Sequence, residues 1–167
     1  MPSMTIPPTA SNADADIYSR FVRTLNAEGL RAALAEVLEL TDYRFIGLWR
    51  FQDGKARSVV HVDRDNPEVL EAAEVPDTAT YCSYVRASGA AFRTANALMD
   101  ERLALHPART VVQSYCGVPL QGMDGKVLGT LCHYDLVPRD PAQINLAAMS
   151  SISSHVTIGG HLPAYPG

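Results

Sequence analysis

The side chains best suited to chemistry in this sequence are three cysteines, Cys82, Cys116 and Cys132. A cysteine reacts as its thiolate, and it can then serve as a nucleophile, a redox group or a metal ligand. The three are spaced as neither a C-x-x-C pair nor a zinc quartet, so the sequence predicts no metal site. Each cysteine alone also fits a small buried apolar residue.

Predicted strands place amphipathic side chains on one face of a sheet. Successive side chains of a strand point to opposite faces, so aliphatic residues such as Ile46 and Val118 share a face suited to helices. The opposite face carries the residues expected to line a pocket: Trp49, Tyr115, Cys132 and Tyr134. Tyr and Trp combine an apolar ring with one donor, which predicts a small amphipathic ligand. A filled aromatic core without a cavity is the alternative.

Two segments are expected to cover this pocket. Residues 80–88 fit a short helix, which places three further residues over the sheet: Tyr81, Cys82 and Tyr84. In the loop 96–110, Asp100 and Arg102 lie in a helical turn. Because Arg102 is four residues before His106, the two could bind an anion together. The same charges also fit a solvated loop.

The charge state of Cys82 depends on two opposing effects. A position near a helix start favours the thiolate, whereas burial in an apolar pocket disfavours it more strongly. We therefore expect a neutral, slowly reacting Cys82 unless a cation such as Arg86 or Arg102 reaches it.

Hydrophobic periodicity predicts the elements that position these residues. Helices near both ends of the chain carry single apolar stripes, and five segments between them have the composition of strands. Asp53-Gly54 and Asp124-Gly125 mark hairpin turns, for which the type I′ geometry needs a positive φ. Gly129 marks a close approach of another segment.

Capping residues predict where the end helices begin. Ser11 or Asn12 is expected to cap the first helix, and Asp140 before Pro141 the last. The last helix also carries serines beside its apolar face: Ser150, Ser151, Ser153 and Ser154. Small residues allow close helix approach, so we expect a homodimer there, with simple solvation of the serines as the alternative.

Composition limits the classes of function. The chain has 167 residues, enough for one domain, and a net charge of −4, which gives no basic field for nucleic acid or an anionic membrane. No apolar run approaches the ~20 residues of a membrane span. The N-terminus lacks the pattern of a secretory signal, so we expect a cytoplasmic protein.

The segment 114–135 resembles the central hairpin of GAF domains. It contains GVPL at 117–120, a turn, and GTLCHYD at 129–135, in the family's pattern of xGVPL followed by GxLxxxD. The resemblance implies an α+β fold with a central antiparallel sheet of about six strands. The terminal helices would cover one face, and a ligand pocket would lie under short helices and loops on the other.

The same resemblance implies domain limits and a function. The GAF domain is expected over residues 12–159, after a flexible segment 1–11 and before a tail 160–167. GAF domains are small-molecule sensors, which implies a ligand-binding signalling protein that acts through a partner protein or a homodimer. The sequence identifies neither the ligand nor a cofactor. A purely structural dimerisation module is an alternative.

A second alternative is a cysteine-dependent redox enzyme related to free methionine-(R)-sulfoxide reductases, which are also single GAF domains. Cys82 matches one cysteine of those enzymes, and Cys132 could face it across the pocket. However, residues 108–113, where their nucleophilic cysteine would lie, contain none. The pair Cys132-His133 is similar to the bilin attachment pair of phytochrome-like domains, but it lies on a predicted strand rather than a helix, which argues against covalent bilin.

Overall fold

The structure is a computed structural model that describes residues 10–166, and within them the chain forms six β-strands and four α-helices. The strands are β1 (Phe45–Gln52), β2 (Lys55–Asp63), β3 (Val75–Pro76), β4 (Phe92–Thr94), β5 (Ser114–Gln121) and β6 (Val127–Asp135). The helices are α1 (Ala10–Glu28), α2 (Leu30–Glu39), α3 (Cys82–Ser88) and α4 (Leu146–Ile158). None of the helices in this range is long and apolar enough to cross a membrane.

All six strands join one antiparallel sheet in the order β3-β2-β1-β6-β5-β4. This confirms the predicted α+β fold with a sheet of about six strands. Periodicity predicted five of them. The sixth, β3, has only two residues, which pair with Lys55 and Ala56 at the sheet edge. A strand of that length is too short to show an alternating pattern.

The helices from both ends of the chain, α1, α2 and α4, lie on one face of the sheet. α1 packs against both α2 and α4, and α4 packs on β5. The strand residues that point toward these helices are buried and aliphatic: Ile46, Leu48, Val118, Leu120 and Leu131. The main core therefore lies between helices and sheet, as the strand alternation predicts, and it leaves the other sheet face for a site.

One of the four serines on α4 differs from the rest. Ser153 is buried, and its hydroxyl donates a hydrogen bond to the Pro119 carbonyl oxygen at 2.5 Å. The other three, Ser150, Ser151 and Ser154, are exposed. Ser153 is therefore not available for the close helix approach expected of all four serines, because it anchors α4 to β5.

The two hairpin turns differ in geometry. Asp53 and Gly54 have φ values of 52° and 76°, so both turn residues adopt the positive φ that was predicted. In the β5–β6 turn, Gly125 has a φ of 81°, but Asp124 is not among the described residues with positive φ. Its side chain instead accepts a hydrogen bond from the Lys126 N–H at 2.9 Å. The type I′ prediction is therefore wrong for this longer loop.

The helix starts also differ from the predictions. α1 already includes Ser11 and Asn12, so neither residue caps it. The predicted flexible segment, residues 1–11, lies outside the described residues except for its last two, which belong to α1. At the other end, Asp140 caps a separate 3-10 turn, and Asn145 caps α4 by accepting a hydrogen bond from the Ala148 N–H at 3.0 Å.

Candidate functional site

The sheet face opposite to α1, α2 and α4 holds a cavity of about 290 Å³. Strands β1, β5 and β6 form its floor, and α3 and two loop segments form its walls. Its lining residues are Trp49, Ala72, Ala73, Val75, Ala79, Thr80, Tyr81, Cys82, Ala108, Val112, Tyr115, Cys132 and Tyr134. None of these residues, drawn from the described part of the chain, is a lysine, arginine, histidine, aspartate or glutamate. The cavity therefore suits an uncharged ligand.

Two glycines make room for aromatic rings on the cavity floor. Gly47 of β1 and Gly117 of β5 pair with Cys132 of β6, one on each side. A Cβ atom on Gly47 would lie 3.1 Å from the indole nitrogen of Trp49, and one on Gly117 would overlap the ring of Tyr115. The two rings therefore lie over the glycines and leave space above the sheet around Cys132.

The indole of Trp49 offers an unused donor at this floor. The residue is only 8% exposed, and its Nε1–H has no hydrogen-bond partner within residues 10–166. The nitrogen lies over Gly47, on the cavity side of the sheet. A buried donor without an acceptor costs free energy of about 1–3 kcal/mol, so an acceptor brought by a ligand would stabilise the complex.

Hydroxyl and thiol donors surround Cys82 at the bottom of the cavity. Its Sγ lies 3.1 Å from the Thr130 Oγ1 and accepts a hydrogen bond from the Tyr115 hydroxyl at 3.3 Å. Cys132 follows Thr130 on the same strand face, and its thiol also lowers the pKa of Cys82. Burial raises the pKa of Cys82, but these hydrogen bonds outweigh burial and lower the pKa below its ordinary value, to about 7.

The pKa values of the other two thiols are shifted in the opposite direction. Burial and the hydrogen bond to the Cys82 sulfur raise the pKa of Cys132 well above its ordinary value. Burial raises the pKa of Cys116 to about 12, and this residue lies in the core between helices and sheet. Cys82 is therefore the thiol of the three with the greatest thiolate character.

No cation is needed for the lowered pKa of Cys82, contrary to the sequence-based expectation. Arg86 pairs with Asp77, and Arg102 pairs with Asp100. Neither arginine is among the groups that shift the pKa of Cys82. Neutral donors replace the cation because they converge on one buried sulfur, where each hydrogen bond stabilises the thiolate strongly.

Tyr81 and His106 fasten the cover of the cavity. The Tyr81 hydroxyl donates to the Val112 carbonyl oxygen at 2.8 Å, which ties the start of α3 to the loop before β5. The His106 ring lies 4.7 Å from the Tyr81 ring, with its Nε2 3.1 Å from the Thr80 carbonyl oxygen. Its Nδ1 accepts the Ala108 N–H at 3.0 Å. Burial lowers the pKa of His106, which favours this neutral, accepting form.

Tyr134 closes one side of the cavity. Its ring stacks on Phe45 at a centroid distance of 4.7 Å, and its hydroxyl lies 3.4 Å from the His61 Nδ1. Burial raises the pKa of Tyr134 and lowers that of His61, so both stay neutral. The wall therefore adds polar atoms but no charge.

Three of the predicted site residues lie outside the cavity lining: Tyr84, Asp100 and Arg102. Arg102 donates to Asp100 and to the Arg93 carbonyl oxygen, each at 2.7 Å, and covers the Phe92 ring at 4.6 Å. The hydrogen bonds from Arg102 lower the pKa of Asp100 to about 2. Because Arg102 is held by these partners and His106 by Thr80 and Ala108, the structure does not aim the two at a common anion.

The structure brings the other six predicted residues together at the cavity: Trp49, Tyr81, Cys82, Tyr115, Cys132 and Tyr134. Sequence reasoning missed the alanines of the wall, such as Ala79 and Ala108, and the contact of Thr130 with Cys82. Thr130 shares a strand face with Cys132, so alternation contained that information. The wall residues lie on loops, where no periodicity marks the side that faces inward.

Comparisons with known proteins agree with this architecture. The family model described as GAF domain matches residues 27–158, and a comparison with curated protein sequences finds no match. Among solved structures, the GAF domain of an Acinetobacter phosphoenolpyruvate-protein phosphotransferase is 18% identical with a TM-score of 0.63, covering 90% of this chain and 99% of that one.

Two further structures have similar folds. The phycocyanobilin-bound GAF domain of a cyanobacterial phytochrome is 16% identical with a TM-score of 0.62, covering 92% of this chain and 94% of that one. A type II free methionine-R-sulfoxide reductase from Thermoplasma acidophilum is 17% identical with a TM-score of 0.56, covering 83% and 90%. At these identities the likeness extends to the fold alone.

Proposed function

The chain belongs to the GAF domain family, and from this premise we propose that it is a sensory module that binds a small, uncharged, largely apolar molecule. The observation that carries the proposal is the cavity of about 290 Å³ on the sheet face opposite to α1, α2 and α4. Its described lining holds no acidic or basic side chain, and the Trp49 donor has no partner among the described residues. A partly enclosed apolar cavity with a few polar groups is the usual form of a small-molecule site.

The lining supports a ligand with one hydrogen-bond acceptor. Apolar surface from alanine and valine side chains supplies most of the affinity by burial, at ~25 cal/mol per Å². The Trp49 Nε1–H would orient the ligand, because this donor has no acceptor among residues 10–166. A ligand without an acceptor would leave that donor unpaired and bind more weakly.

The neighbour named as a free methionine-R-sulfoxide reductase acts on a charged substrate. A free amino acid carries an ammonium and a carboxylate, and burying either without a charged or hydrogen-bonding partner is costly. The cavity lining found among residues 10–166 offers no acidic or basic side chain. We therefore favour a sensor of an uncharged molecule over an enzyme that reduces free methionine sulfoxide.

We further propose that the output passes through a homodimer or a partner protein. A shallow groove between α1 and α4 is lined in part by small or amphipathic residues suited to close helix contact, and it also contains Asp14 and His155. The small or amphipathic residues include Tyr18, Ser150, Ser151 and Ser154. Light scattering at high protein concentration tests the homodimer, and a mass of one chain would overturn it in favour of a partner protein.

The ligand proposal is tested by mass spectrometry of the protein purified from its own cells. Native and denaturing spectra are compared to detect a retained molecule. The Ala108→Phe variant places a ring in the cavity, and the matched Ala91→Phe variant places the same ring at an exposed position away from it. We expect a retained molecule in the wild type and in Ala91→Phe but not in Ala108→Phe. A molecule that persists in Ala108→Phe, or one that is charged, would overturn the proposal.

A further inference from the structure

We propose that Cys82 and Cys132 form a reversible disulfide when a small, uncharged hydroperoxide enters the cavity. The two thiols come from different elements, α3 and β6, and both line the cavity. Both are free in the structure, which is therefore the reduced state of the pair. The inference rests on the arrangement around these sulfurs and does not depend on the identity of the cavity's ligand.

The donors around Cys82 prepare it for the first step. The Tyr115 hydroxyl and the Thr130 hydroxyl lie 3.3 Å and 3.1 Å from its Sγ. Each donor stabilises the thiolate, which is the form that attacks a peroxide. Cys116 differs, because burial raises its pKa to about 12.

The chemistry is a two-electron oxidation in two steps. The Cys82 thiolate attacks one oxygen of hydrogen peroxide, the O–O bond breaks, and hydroxide leaves, giving a sulfenic acid on Cys82. The Cys132 sulfur then attacks the Cys82 sulfur, the S–O bond breaks, and the released hydroxide takes the Cys132 proton as water. The peroxide is reduced to two water molecules, and the two thiols together lose two electrons and two protons.

The cavity selects the oxidant and the partner thiol. Its uncharged lining admits a small neutral peroxide. Cys132 lies on the same face of β6 as Thr130, whose Oγ1 is 3.1 Å from the Cys82 Sγ, so the partner thiol lies on the strand beside Cys82. Cys116 pairs with His133 across the sheet and faces the helices instead. It is therefore an internal control within the same chain.

The test is peptide mapping of the whole protein after treatment with hydrogen peroxide. Trypsin separates the three cysteines into peptides 65–86, 110–126 and 127–139. We expect 65–86 to become linked to 127–139, with release by dithiothreitol, while 110–126 keeps its free thiol. In Cys132→Ser the sulfenic acid of Cys82 should persist and react with dimedone, and Cys116→Ser should behave as the wild type.

A second variant tests the activation of Cys82. Tyr115→Phe removes one donor and should slow disulfide formation near pH 7 by roughly twofold to tenfold, the range that one hydrogen bond supplies. Its rate should recover at higher pH, where the thiolate forms without that donor. Two results would overturn the proposal. One is oxidation of Cys116 at a rate equal to or higher than that of Cys82. The other is oxidation of Cys82 to sulfinic acid while Cys132 keeps its free thiol.

Discussion

Acid should destabilise this protein through one buried histidine, His133. The residue lies on β6 toward the helices, it is only 1% exposed, and its ring lies 5.8 Å from that of Tyr43. Burial lowers the pKa of His133 to about 3, and its Nε2 has no partner among the described residues. The native protein therefore keeps this side chain neutral, whereas the unfolded chain protonates it below about pH 6.5.

The sign and size of the effect follow from these two pKa values. Above about pH 6.5 neither state binds the proton, so the stability is unaffected. As the pH falls from about 6.5 toward about 3, the unfolded state gains a proton that the native state does not bind, and stability is lost. At about pH 4.5, two pH units at 1.36 kcal/mol each give a loss of roughly 3 kcal/mol from His133 alone.

The assay is urea unfolding of the wild type and His133→Leu at about pH 7.5 and pH 4.5. Leucine fills much of the same volume, and its side chain has no group that binds a proton in this pH range. The carboxylates are common to both proteins, so their acid response cancels in the comparison. We expect the variant to lose roughly 3 kcal/mol less than the wild type between the two pH values. Equal losses in both proteins would refute the reasoning.

Three further variants test other features of the structure. Gly117→Ala should lower the free energy of unfolding by about 1–3 kcal/mol, because its Cβ overlaps the Tyr115 ring; an unchanged melting temperature would contradict the floor geometry. Tyr81→Phe removes the donor to the Val112 carbonyl oxygen and should lower the free energy of unfolding by about 1–3 kcal/mol. It should also speed proteolysis of the loop before β5, and resistance equal to that of the wild type would contradict this hydrogen bond. Asn145→Ala should lower the free energy of unfolding by about 1 kcal/mol, and Asp140→Ala by less, because Asn145 caps α4 and Asp140 caps only a 3-10 turn. A lower melting temperature for Asp140→Ala than for Asn145→Ala would contradict Asn145 as the cap of α4.

Much of the fold was predictable because alternation and helical periodicity report on burial. Ile46 and Val118 faced the helices as expected, and Trp49 and Tyr115 faced the cavity. The same rule could not find β3, whose two residues are too few to alternate. It also could not choose between Asp140 and Asn145 as the cap of α4, since both residue types cap helices well and the choice depends on where the helix starts.

The site was predictable where it lies on strands and less so where it lies on loops. Six of the nine predicted residues line the cavity, and the three that do not are Tyr84, Asp100 and Arg102. Arg102 is held by Asp100 and the Phe92 ring, contacts that the spacing of charges could not reveal. The pKa of Cys82 was predicted in the wrong direction because its neutral donors come from distant strands.

The single tryptophan allows the most direct test of an uncharged ligand site. A ¹⁵N-labelled sample gives one indole N–H resonance, that of Trp49. Titration uses three probes of similar shape: acetophenone, which has an acceptor; 2-phenylpropene, which lacks it; and benzoate, which is charged. We predict a saturable downfield shift of this resonance with acetophenone. 2-Phenylpropene should bind more weakly and give a smaller shift, and benzoate should give no shift. All shifts should vanish in Ala108→Phe. Binding of benzoate as tight as that of acetophenone, or an indole resonance that no probe moves, would contradict an uncharged cavity with a free Trp49 donor.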